Sequence, residues 1–447
     1  MVIQDALITA APKPGADQDS ATPKNETNFE RNDLLARYET VRQFSEALCE
    51  TLVSEDYVIQ TMPEMSPTKW HLAHTSWFFE TFVLKPHLPG YKPLHPAYAF
   101  LFNSYYNAAG KMHARPQRGL ISRPTVSETF AYRKHVDALV LQLLEAAGPK
   151  ELERLAPLLT LGLNHEQQHQ ELMQTDIKHV FWMNPLRPVF REQNGVQHSD
   201  AGPVEWRHYP ESVYYIGHHG KGFCFDNETP RHGVLLQKFS LASRLVTNRE
   251  YLGFIEDDGY NRPEFWLSLG WNTVKERGWD APLYWEKRHG EWWSMTLGGL
   301  REIVMDEPVC HVSYFEADAF ARWANARLPQ EAEWETASFS VPVEGHFAEA
   351  GRFHPMPLRR IGSSERLSQM FGDVWQWTQS SYSPYPGYRT AAGALGEYNG
   401  KFMCNQYVLR GASCATPRSH ARRTYRNFFP PDARWQFTGI RLARNPE

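Results

Sequence analysis

One short helical motif restricts what this chain can fold into more than any other feature. Residues 163–172 read Leu-Asn-His-Glu-Gln-Gln-His-Gln-Glu-Leu, so His165 and His169 are four residues apart. Apolar residues recur at helical spacing between residues 150 and 183, which predicts one long helix. Residues four apart share a helix face, so the two imidazoles can close on a single metal ion. Two histidines at this spacing can also be solvent-exposed or hydrogen-bonded in the core without binding metal. A metal site therefore requires further ligands from elsewhere in the chain.

The residues around this motif predict a helical bundle. Residues 1–28 are rich in Ala, Pro, Ser and Asp and are expected to form a flexible leader. Apolar positions at helical spacing predict helices at 29–56, from Ser66-Pro67-Thr68 onward, at 127–147 with Ser127 as the cap, and at 150–183. We therefore expect residues 29–183 to form an all-α four-helix bundle, whose facing helices can assemble a metal site.

The composition changes after the fourth predicted helix. Residues 184–205 are rich in Pro, Gly, His and Arg and read as a linker. From 206 to 447 the helical pattern gives way to short strand-like pieces and Gly- and Trp-rich turns, with one good helix near 316–326. We expect a second, irregular α+β domain stabilised by aromatic packing.

Charge and cysteine content exclude several classes of function. The 447 residues carry 47 basic and 51 acidic side chains, a net charge of -4, which gives no overall attraction to nucleic acid or anionic membranes. No apolar run approaches the roughly 20 residues that cross a bilayer, and the first residues lack a signal-peptide pattern. The five cysteines are scattered without a CxxC pair. We expect a cytoplasmic protein with free thiols, no membrane partner and no nucleic-acid partner.

The motif alone determines neither the metal ion nor the third ligand. His165-Glu166-Gln167-Gln168-His169 matches the H-E-x-x-H pattern of zinc peptidases, but the extended form would need Gly at 172 and His at 175, where the chain has Leu172 and Thr175. A better third ligand is His74, on the second predicted helix. Three neutral imidazoles leave coordination positions open, as catalytic sites require, and they suit iron, nickel, copper and zinc alike.

Two sets of motifs carry a family resemblance. Residues 70–80 and 165–171 resemble the DinB-like domain of the ergothioneine-biosynthesis sulfoxide synthases, also called hercynine oxygenases. The second half resembles the formylglycine-generating-enzyme, or sulfatase-modifying-factor, domain, with a C-type-lectin-like fold. The segments that carry this second likeness are 245–248, 263–271, 308–314, 327–335, 372–377, 409–413 and 437–441.

The resemblance implies a fold, a cofactor and a reaction. The implied fold is a DinB-like bundle followed by a formylglycine-generating-enzyme-like domain. The implied cofactor is a non-haem Fe(II) ion held by three histidines, here His74, His165 and His169. The implied reaction uses O2 to join a thiol sulfur to the imidazole C2 of hercynine (trimethylated histidine) and oxidises that sulfur to a sulfoxide. His71 falls where the family tolerates other residues and is left out of the ligand set.

The same resemblance assigns roles to other residues. Gln168 matches a residue that helps to hold hercynine. Residues 88–126 read as a long loop between the second and third predicted helices. Tyr105 and Tyr106 on it resemble a tyrosine pair that one branch of the family places on this loop as its catalytic phenol, which donates a proton during the reaction. Arg115 and Arg118 match arginines that hold the carboxylate of the thiol substrate.

The carboxy-terminal motif indicates which thiol is used. The branch that takes γ-glutamylcysteine has an acid two residues after the Asn of an Arg-Asn pair and an Arg four residues further on. Here Asn427 is followed by Phe428 and Phe429, so Phe429 and Ala433 occupy the two charged positions. We therefore expect free cysteine as the sulfur donor, with Asn427, Phe428 and Phe429 contacting substrate. The alternatives are γ-glutamylcysteine as the donor, or a DinB-type metal-dependent thiol S-transferase.

One departure from the formylglycine-generating enzymes argues against sulfatase maturation. Those oxidases use a close pair of reactive cysteines in the region where this chain has Cys414 without a neighbouring partner. The second domain is therefore expected to serve as a substrate-binding lid on a reused fold.

Overall fold

The computed structural model describes residues 24–193, 195, 199–358, 366–390 and 394–445. The chain divides into two compact units, the first formed by Met1–Ile177 with Arg389–Gly400 and the second by Lys178–Tyr388 with Lys401–Glu447. The sequence predicts that a linker at residues 184–205 separates the two domains. In the structure the last residues of the long helix, from Lys178, already belong to the second unit, and a late segment returns to the first. No helix in the described part of the chain is both long and apolar enough to cross a bilayer.

The first unit is helical in its described residues. Its α-helices are α1 (Lys24–Ala47), α2 (Thr68–Phe79), the single-turn α3 (Lys85–His87) and α4 (Tyr98–Leu101), α5 (Val126–Ala146) and α6 (Pro149–Met183). A π-helical turn at Glu80–Leu84 extends α2, and 3-10 turns lie at Asp56–Val58, Asn107–Ala109, Arg115–Leu120 and Ala394–Glu397. The four long helices match the four that the sequence predicts. Residues 24–28 of the expected leader are helical, and the rest of the leader lies outside the described residues.

Local chemistry explains where these helices begin. Helix α5 is capped by Thr125, whose hydroxyl accepts from the Glu128 backbone N–H at 3.2 Å while the Glu128 carboxylate accepts from the Thr125 N–H at 2.7 Å. The cap is therefore Thr125 and not the predicted Ser127. Helix α2 begins at Thr68, directly after Pro67, and all of its residues are buried. A helix surrounded on every side can carry apolar and metal-binding residues on the same turn.

A glycine sets the distance between α2 and α6. A Cβ atom added to Gly162 would lie 2.5 Å from Cε1 of Phe79 and 2.9 Å from Cε1 of Phe78. Any larger residue at this point would push α2 away from α6. Because α2 carries His74 and α6 carries His165, this close approach brings the two imidazoles together.

The second unit is built from small sheets and short helices. Its strands are β1 (Trp206–Tyr209), β2 (Ser212–Ile216), β3 (His232–Leu236), β4 (Phe239–Ala242), β5 (Trp285–Arg288), β6 (Glu291–Thr296), β7 (Gly299–Glu302), β8 (Gly345–His346), β9 (Phe371–Gly372), β10 (Trp375–Ser381), β11 (Tyr407–Arg410), β12 (Asn427–Phe429), β13 (Thr438–Gly439) and β14 (Ala443–Arg444). They pair in the orders β1-β4-β14, β12-β11-β10-β13, β2-β3, β5-β6-β7 and β8-β9. Among the described strands, β10–β13 and β8–β9 are parallel pairs and the other pairs are antiparallel.

Four helices belong to this unit, where the sequence predicts one. They are α7 (Asn248–Glu256), α8 (Ser268–Arg277), α9 (Tyr314–Trp323) and α10 (Glu331–Ser338). Each spans eight to ten residues, too short for an apolar period to stand out. Helices α7 and α9 do carry readable start signals, the capping boxes of Thr247 with Glu250 and of Ser313 with Glu316.

Aromatic side chains fill the core of the second unit, as the composition predicts. Trp334, Trp375 and Trp377 are fully buried. The Gln376 side-chain oxygen accepts from Trp334 Nε1 at 2.8 Å and from Arg441 Nε at 2.7 Å, which satisfies both buried donors. All five cysteines are free thiols, also as predicted.

Candidate metal centre

Three histidines converge in the interior of the first unit. His74 of α2 and His165 and His169 of α6 each offer a ring nitrogen, and these atoms all lie within 4.8 Å of one another. The two closest, Nε2 of His74 and Nε2 of His165, are 3.1 Å apart. All three residues are buried. The set predicted from the sequence is therefore brought together by the fold.

The protein holds these imidazoles in the form that binds metal. Burial lowers the pKa of His74 and of His169 well below the usual value, and burial lowers the pKa of His165 to about 3. A neutral imidazole offers one lone pair. His74 Nδ1 lies 2.6 Å from the Phe102 carbonyl oxygen, which can only accept, so Nδ1 carries the proton and Nε2 faces the cluster.

Two tryptophans fix the ring plane of His74. Trp70 stacks on His74 with ring centroids 4.6 Å apart, and Trp77 stacks at 5.4 Å. The Trp70 indole donates through Nε1 to the Leu101 carbonyl at 3.0 Å. These contacts hold the imidazole before any metal binds, which lowers the ordering cost of binding.

His71 lies beside the cluster and outside the three-nitrogen set. Its Nδ1 is 2.8 Å from Nδ1 of His169, and its Nε2 is 3.0 Å from Oδ2 of Asp176. Both residues are buried. The sequence reasoning left His71 out of the ligand set and did not consider Asp176. Asp176 follows His169 by seven residues, a helical spacing that puts both on one face of α6, and this signal was available.

The glutamate of the H-E-x-x-H motif is committed elsewhere. Glu166 is fully buried, and its carboxylate accepts from Arg42 Nη1 at 2.8 Å, Arg133 Nη2 at 2.5 Å and Ser45 Oγ at 2.6 Å. Burial alone would raise the pKa of Glu166, but Arg133 and Arg42 outweigh it and lower the pKa to about 2. A carboxylate clamped in this way joins α1, α5 and α6 and is not placed to act as the general base of a peptidase.

Gln168 and the tyrosines lie around the histidines. Gln168 bonds to the hydroxyl of Tyr398, and the Tyr398 ring lies 5.7 Å from that of His165 and 6.2 Å from that of Tyr105. Tyr398 belongs to the segment Arg389–Gly400, and no sequence pattern connects this segment with the histidines. Tyr105 stacks on Tyr106 at 4.7 Å. Tyr106 is fully buried against Trp77 and Phe82, whereas Tyr105 is partly exposed.

The two predicted arginines differ in their surroundings. Arg118 is buried, donates through Nη1 to Ser66 Oγ at 2.8 Å and lies with its guanidinium carbon 3.4 Å from the Trp70 ring centroid. Burial, reinforced by Arg115, lowers the pKa of Arg118 to about 8. Arg115 is exposed and donates to the Glu64 carbonyl. Both belong to the turn Arg115–Leu120, which Gln60 holds by accepting from the Gly119 N–H at 2.7 Å.

The remaining predicted substrate residues belong to the second unit. Asn427, Phe428 and Phe429 form β12, paired with β11. Phe428 stacks on Tyr382 with ring centroids 4.0 Å apart, and Phe429 contacts Trp435 edge-on at 5.9 Å. Ala433 is buried. Their contact with substrate stays a prediction.

Comparison with known proteins gives the same two-part organisation. A model of the DinB superfamily matches residues 37–173, and one of the sulfatase-modifying factor enzyme 1-like domain matches residues 200–356 and 339–446. The chain is 31% identical over 404 residues to the hercynine oxygenase of Mycobacterium tuberculosis, covering 85% of this chain and 91% of that protein. It is 30% identical over 442 residues to the hercynine oxygenase of Mycolicibacterium thermoresistibile, covering 91% and 95%. The chain belongs to the hercynine oxygenase family.

Membership in this family confirms the predicted fold and the predicted kind of enzyme. The helical DinB-like region and the sheet-containing second domain occur in the predicted order. The protein is an oxygenase, and the histidine cluster of its first unit suits a metal-dependent member of this family.

Proposed function

We propose that this hercynine oxygenase joins the sulfur of free cysteine to the imidazole C2 of hercynine and oxidises that sulfur to a sulfoxide, as a step of ergothioneine biosynthesis. The observation that carries the proposal is the buried cluster of His74, His165 and His169 in a chain similar over most of its length to hercynine oxygenases. Fe(II) is the proposed cofactor and O2 the proposed oxidant. The free thiols fit the cytoplasm as the place of action.

The three imidazoles fit a catalytic metal. They are neutral, buried and convergent, and three protein ligands leave positions open for substrates. Fe(II) held there would supply the redox chemistry with O2 and bring both substrates together. The protein contributes the fixed ring planes, the exclusion of water and the placement of polar groups around the histidines.

Arg118 is the group best suited to hold the carboxylate of cysteine. Its guanidinium is buried over Trp70 with Ser66 as its side-chain partner, and its Nε has no partner among the described residues. A buried guanidinium gains most from an anion that can accept two of its hydrogens. Gln168 and Tyr398, bonded to each other next to His165, are proposed to contact the hercynine imidazole.

Of the predicted tyrosine pair, we assign the proton-donating role to Tyr105. It is partly exposed and lies near Tyr398, whereas Tyr106 is enclosed by Trp77 and Phe82 and supports Tyr105 by stacking. Burial raises the pKa of Tyr105 above its ordinary value, so its proton is retained at neutral pH until an acceptor develops charge beside it.

The choice of cysteine over γ-glutamylcysteine rests on two positions without charge. Phe429 and Ala433 stand where the γ-glutamylcysteine branch has an acid and an arginine, and neither can pair with an ammonium or a carboxylate. A γ-glutamyl group would bring two charges that these side chains cannot satisfy.

The test is anaerobic reconstitution with Fe(II), followed by O2, hercynine and one thiol at a time, with products identified by mass spectrometry. Cysteine should give hercynylcysteine sulfoxide. The γ-glutamyl product alone would overturn the assignment of the donor. If neither product forms while the loaded protein transfers a thiol to an electrophile, the DinB-type S-transferase alternative replaces the proposal.

A further inference from the structure

We propose that Asp176 and His71 form a hydrogen-bond relay that fixes the ring orientation and tautomer of His169, so that its Nε2 lone pair points to the metal. This inference rests on the metal-binding role proposed above. The relay runs from Asp176 Oδ2 to His71 Nε2 at 3.0 Å and from His71 Nδ1 to His169 Nδ1 at 2.8 Å. All three side chains are more than nine-tenths buried.

The direction of the relay follows from its buried end. Asp176 Oδ2 also accepts from the Ser66 backbone N–H at 2.9 Å, so this oxygen is the acceptor atom of the carboxyl group. Because this oxygen can only accept, His71 must donate its Nε2 proton to it. With that proton on Nε2, the Nδ1 lone pair of His71 is available to accept from its neighbour.

That neighbour is His169, whose Nδ1 must therefore carry a proton. Its remaining lone pair is on Nε2, the nitrogen left for the metal. The Phe102 carbonyl imposes the same tautomer on His74 by accepting from Nδ1 at 2.6 Å. Two of the three ligands are thus set by acceptors behind the ring, one a backbone carbonyl and the other a carboxylate acting through a histidine.

The same geometry argues against His71 as a fourth ligand. Both of its nitrogens are already engaged, Nε2 with Asp176 and Nδ1 with His169. Coordination through Nδ1 would break the contact with His169. His71 is therefore a positioning residue.

Co(II) affinity of the metal-free full-length protein, measured against a competing chelator, tests the relay. In Asp176→Asn the amide can turn a donor toward His71 Nε2, which reverses the relay and favours the wrong tautomer of His169. We expect the dissociation constant to rise about 10- to 100-fold. The matched control is Asp137→Asn, which removes a partly buried carboxylate of the same unit, one that accepts from Arg42 Nε at 2.6 Å and Tyr38 Oη at 2.8 Å. It should lower the melting temperature and leave Co(II) affinity within about threefold.

Two substitutions of His71 separate a relay from a ligand. His71→Asn places an amide oxygen near the position of Nδ1 and can still accept from His169, so we expect it to keep much more Co(II) affinity than His71→Leu. Long-range 15N–1H spectra of the Zn(II)-loaded protein should show His169 protonated at Nδ1 in the wild type and altered in Asp176→Asn.

The outcomes distinguish a failure of the proposed metal site from a failure of the proposed relay. If the wild-type protein does not bind Co(II), the metal centre itself is wrong and the relay with it. If the wild type binds and Asp176→Asn matches the Asp137→Asn control, the relay is wrong while the metal centre stands. If His71→Asn loses as much affinity as His71→Leu while Asp176→Asn loses none, His71 is a ligand.

Discussion

Arg118 is buried with part of its hydrogen-bonding capacity unused, a costly state for a guanidinium. Its neighbours hold it in place without neutralising it: Ser66 accepts one hydrogen bond and Trp70 covers the planar face. Within the described part of the chain, the buried Nε of Arg118 has no hydrogen-bond partner. A substrate carboxylate would complete this arrangement.

We predict that Arg118→Gln raises the KM for cysteine about 10- to 100-fold, because a charge-assisted pair is lost. The KM for hercynine should change much less. Steady-state kinetics with each substrate varied in turn measures both values. The control is Arg123→Gln, an exposed arginine whose guanidinium donates to the neighbouring Ser122 carbonyl. Equal KM values for cysteine in the two variants would remove Arg118 from the cysteine site.

At the residue scale, the sequence predicts which histidines come together where the spacing or motif is local, and their roles as ligands stay predictions. His165 and His169 follow from their separation on one helix, and His74 from a family motif. Tyr398 could not be found this way, because about 230 residues separate it from Gln168 and no local pattern links them. His71 is left out of the predicted ligand set and Asp176 is not among the predicted residues, because a helical pattern does not indicate which side chains hydrogen-bond to a histidine.

At the scale of elements, the metal centre depends on two contacts between helices. One is the close approach of α2 to α6 at Gly162, and the other is the set of ion pairs by which Glu166 joins α6 to α1 and α5. Both lie within a turn of His165. The sequence predicts the helices but not these contacts, because the presence of a glycine or a glutamate in a helix does not indicate which residues it contacts.

We predict that Gly162→Ala lowers both the melting temperature and the Co(II) affinity. Alanine in a helix is ordinarily more stable than glycine by up to about 1 kcal/mol. Here the added Cβ would meet Phe79 and Phe78 at less than 3.0 Å, so α2 must shift and His74 with it. Thermal unfolding and chelator competition measure the two effects. Gly148→Ala, where a Cβ would meet nothing within 4 Å, should show neither; a Gly162→Ala protein at least as stable as wild type would contradict the prediction.

We predict that Glu166→Gln destabilises the protein by about 3–5 kcal/mol, because Arg42 and Arg133 are left buried without their shared carboxylate. Urea unfolding measures this loss. The matched control is Glu153→Gln, an exposed glutamate on the same helix, which should change the free energy of unfolding by less than about 0.5 kcal/mol. A Glu166→Gln protein of normal stability that has lost all activity would instead restore a catalytic role for this residue.

At the scale of the whole molecule, one carboxyl group far from the histidines in sequence should make the stability of the protein depend on pH. Asp373 is buried in the second unit, and burial raises its pKa to about 7 from the ordinary 3.8. Between these two values the folded protein holds a proton that the unfolded chain has released. Stability from this group is therefore greatest in acid and declines as pH rises toward 7.

We predict that Asp373→Asn removes this decline and gains up to about 4 kcal/mol relative to wild type between pH 4 and pH 8. Urea unfolding at several pH values measures the difference. Asp258→Asn is the matched control, because Asp258 shares the left-handed φ of 58° with Asp373 but is exposed, and asparagine tolerates that conformation. If the difference in the free energy of unfolding between wild type and Asp373→Asn stays constant with pH, Asp373 is ionised in the folded protein.

The two-domain organisation was readable from the sequence because composition and motifs change together near residue 184. The exact division was not readable, since the chain of the first unit is not continuous. The short helices of the second unit are not predicted for a related reason: they are held by contacts distant in sequence, such as the hydrogen bond from Trp334 Nε1 to the Gln376 side-chain oxygen.

The segment Arg389–Gly400 has a consequence for how such proteins can be recombined. It lies late in the chain yet belongs to the histidine-bearing unit, and it brings Tyr398 to Gln168. A chimaera that joins the first half of one relative to the second half of another would exchange Tyr398 while keeping the histidines and Gln168. If Tyr398 contacts hercynine as proposed, substrate preference would follow the transplanted half even though the three histidines and Gln168 were retained. The residues proposed to select the substrate are therefore not all carried by the first half of the chain.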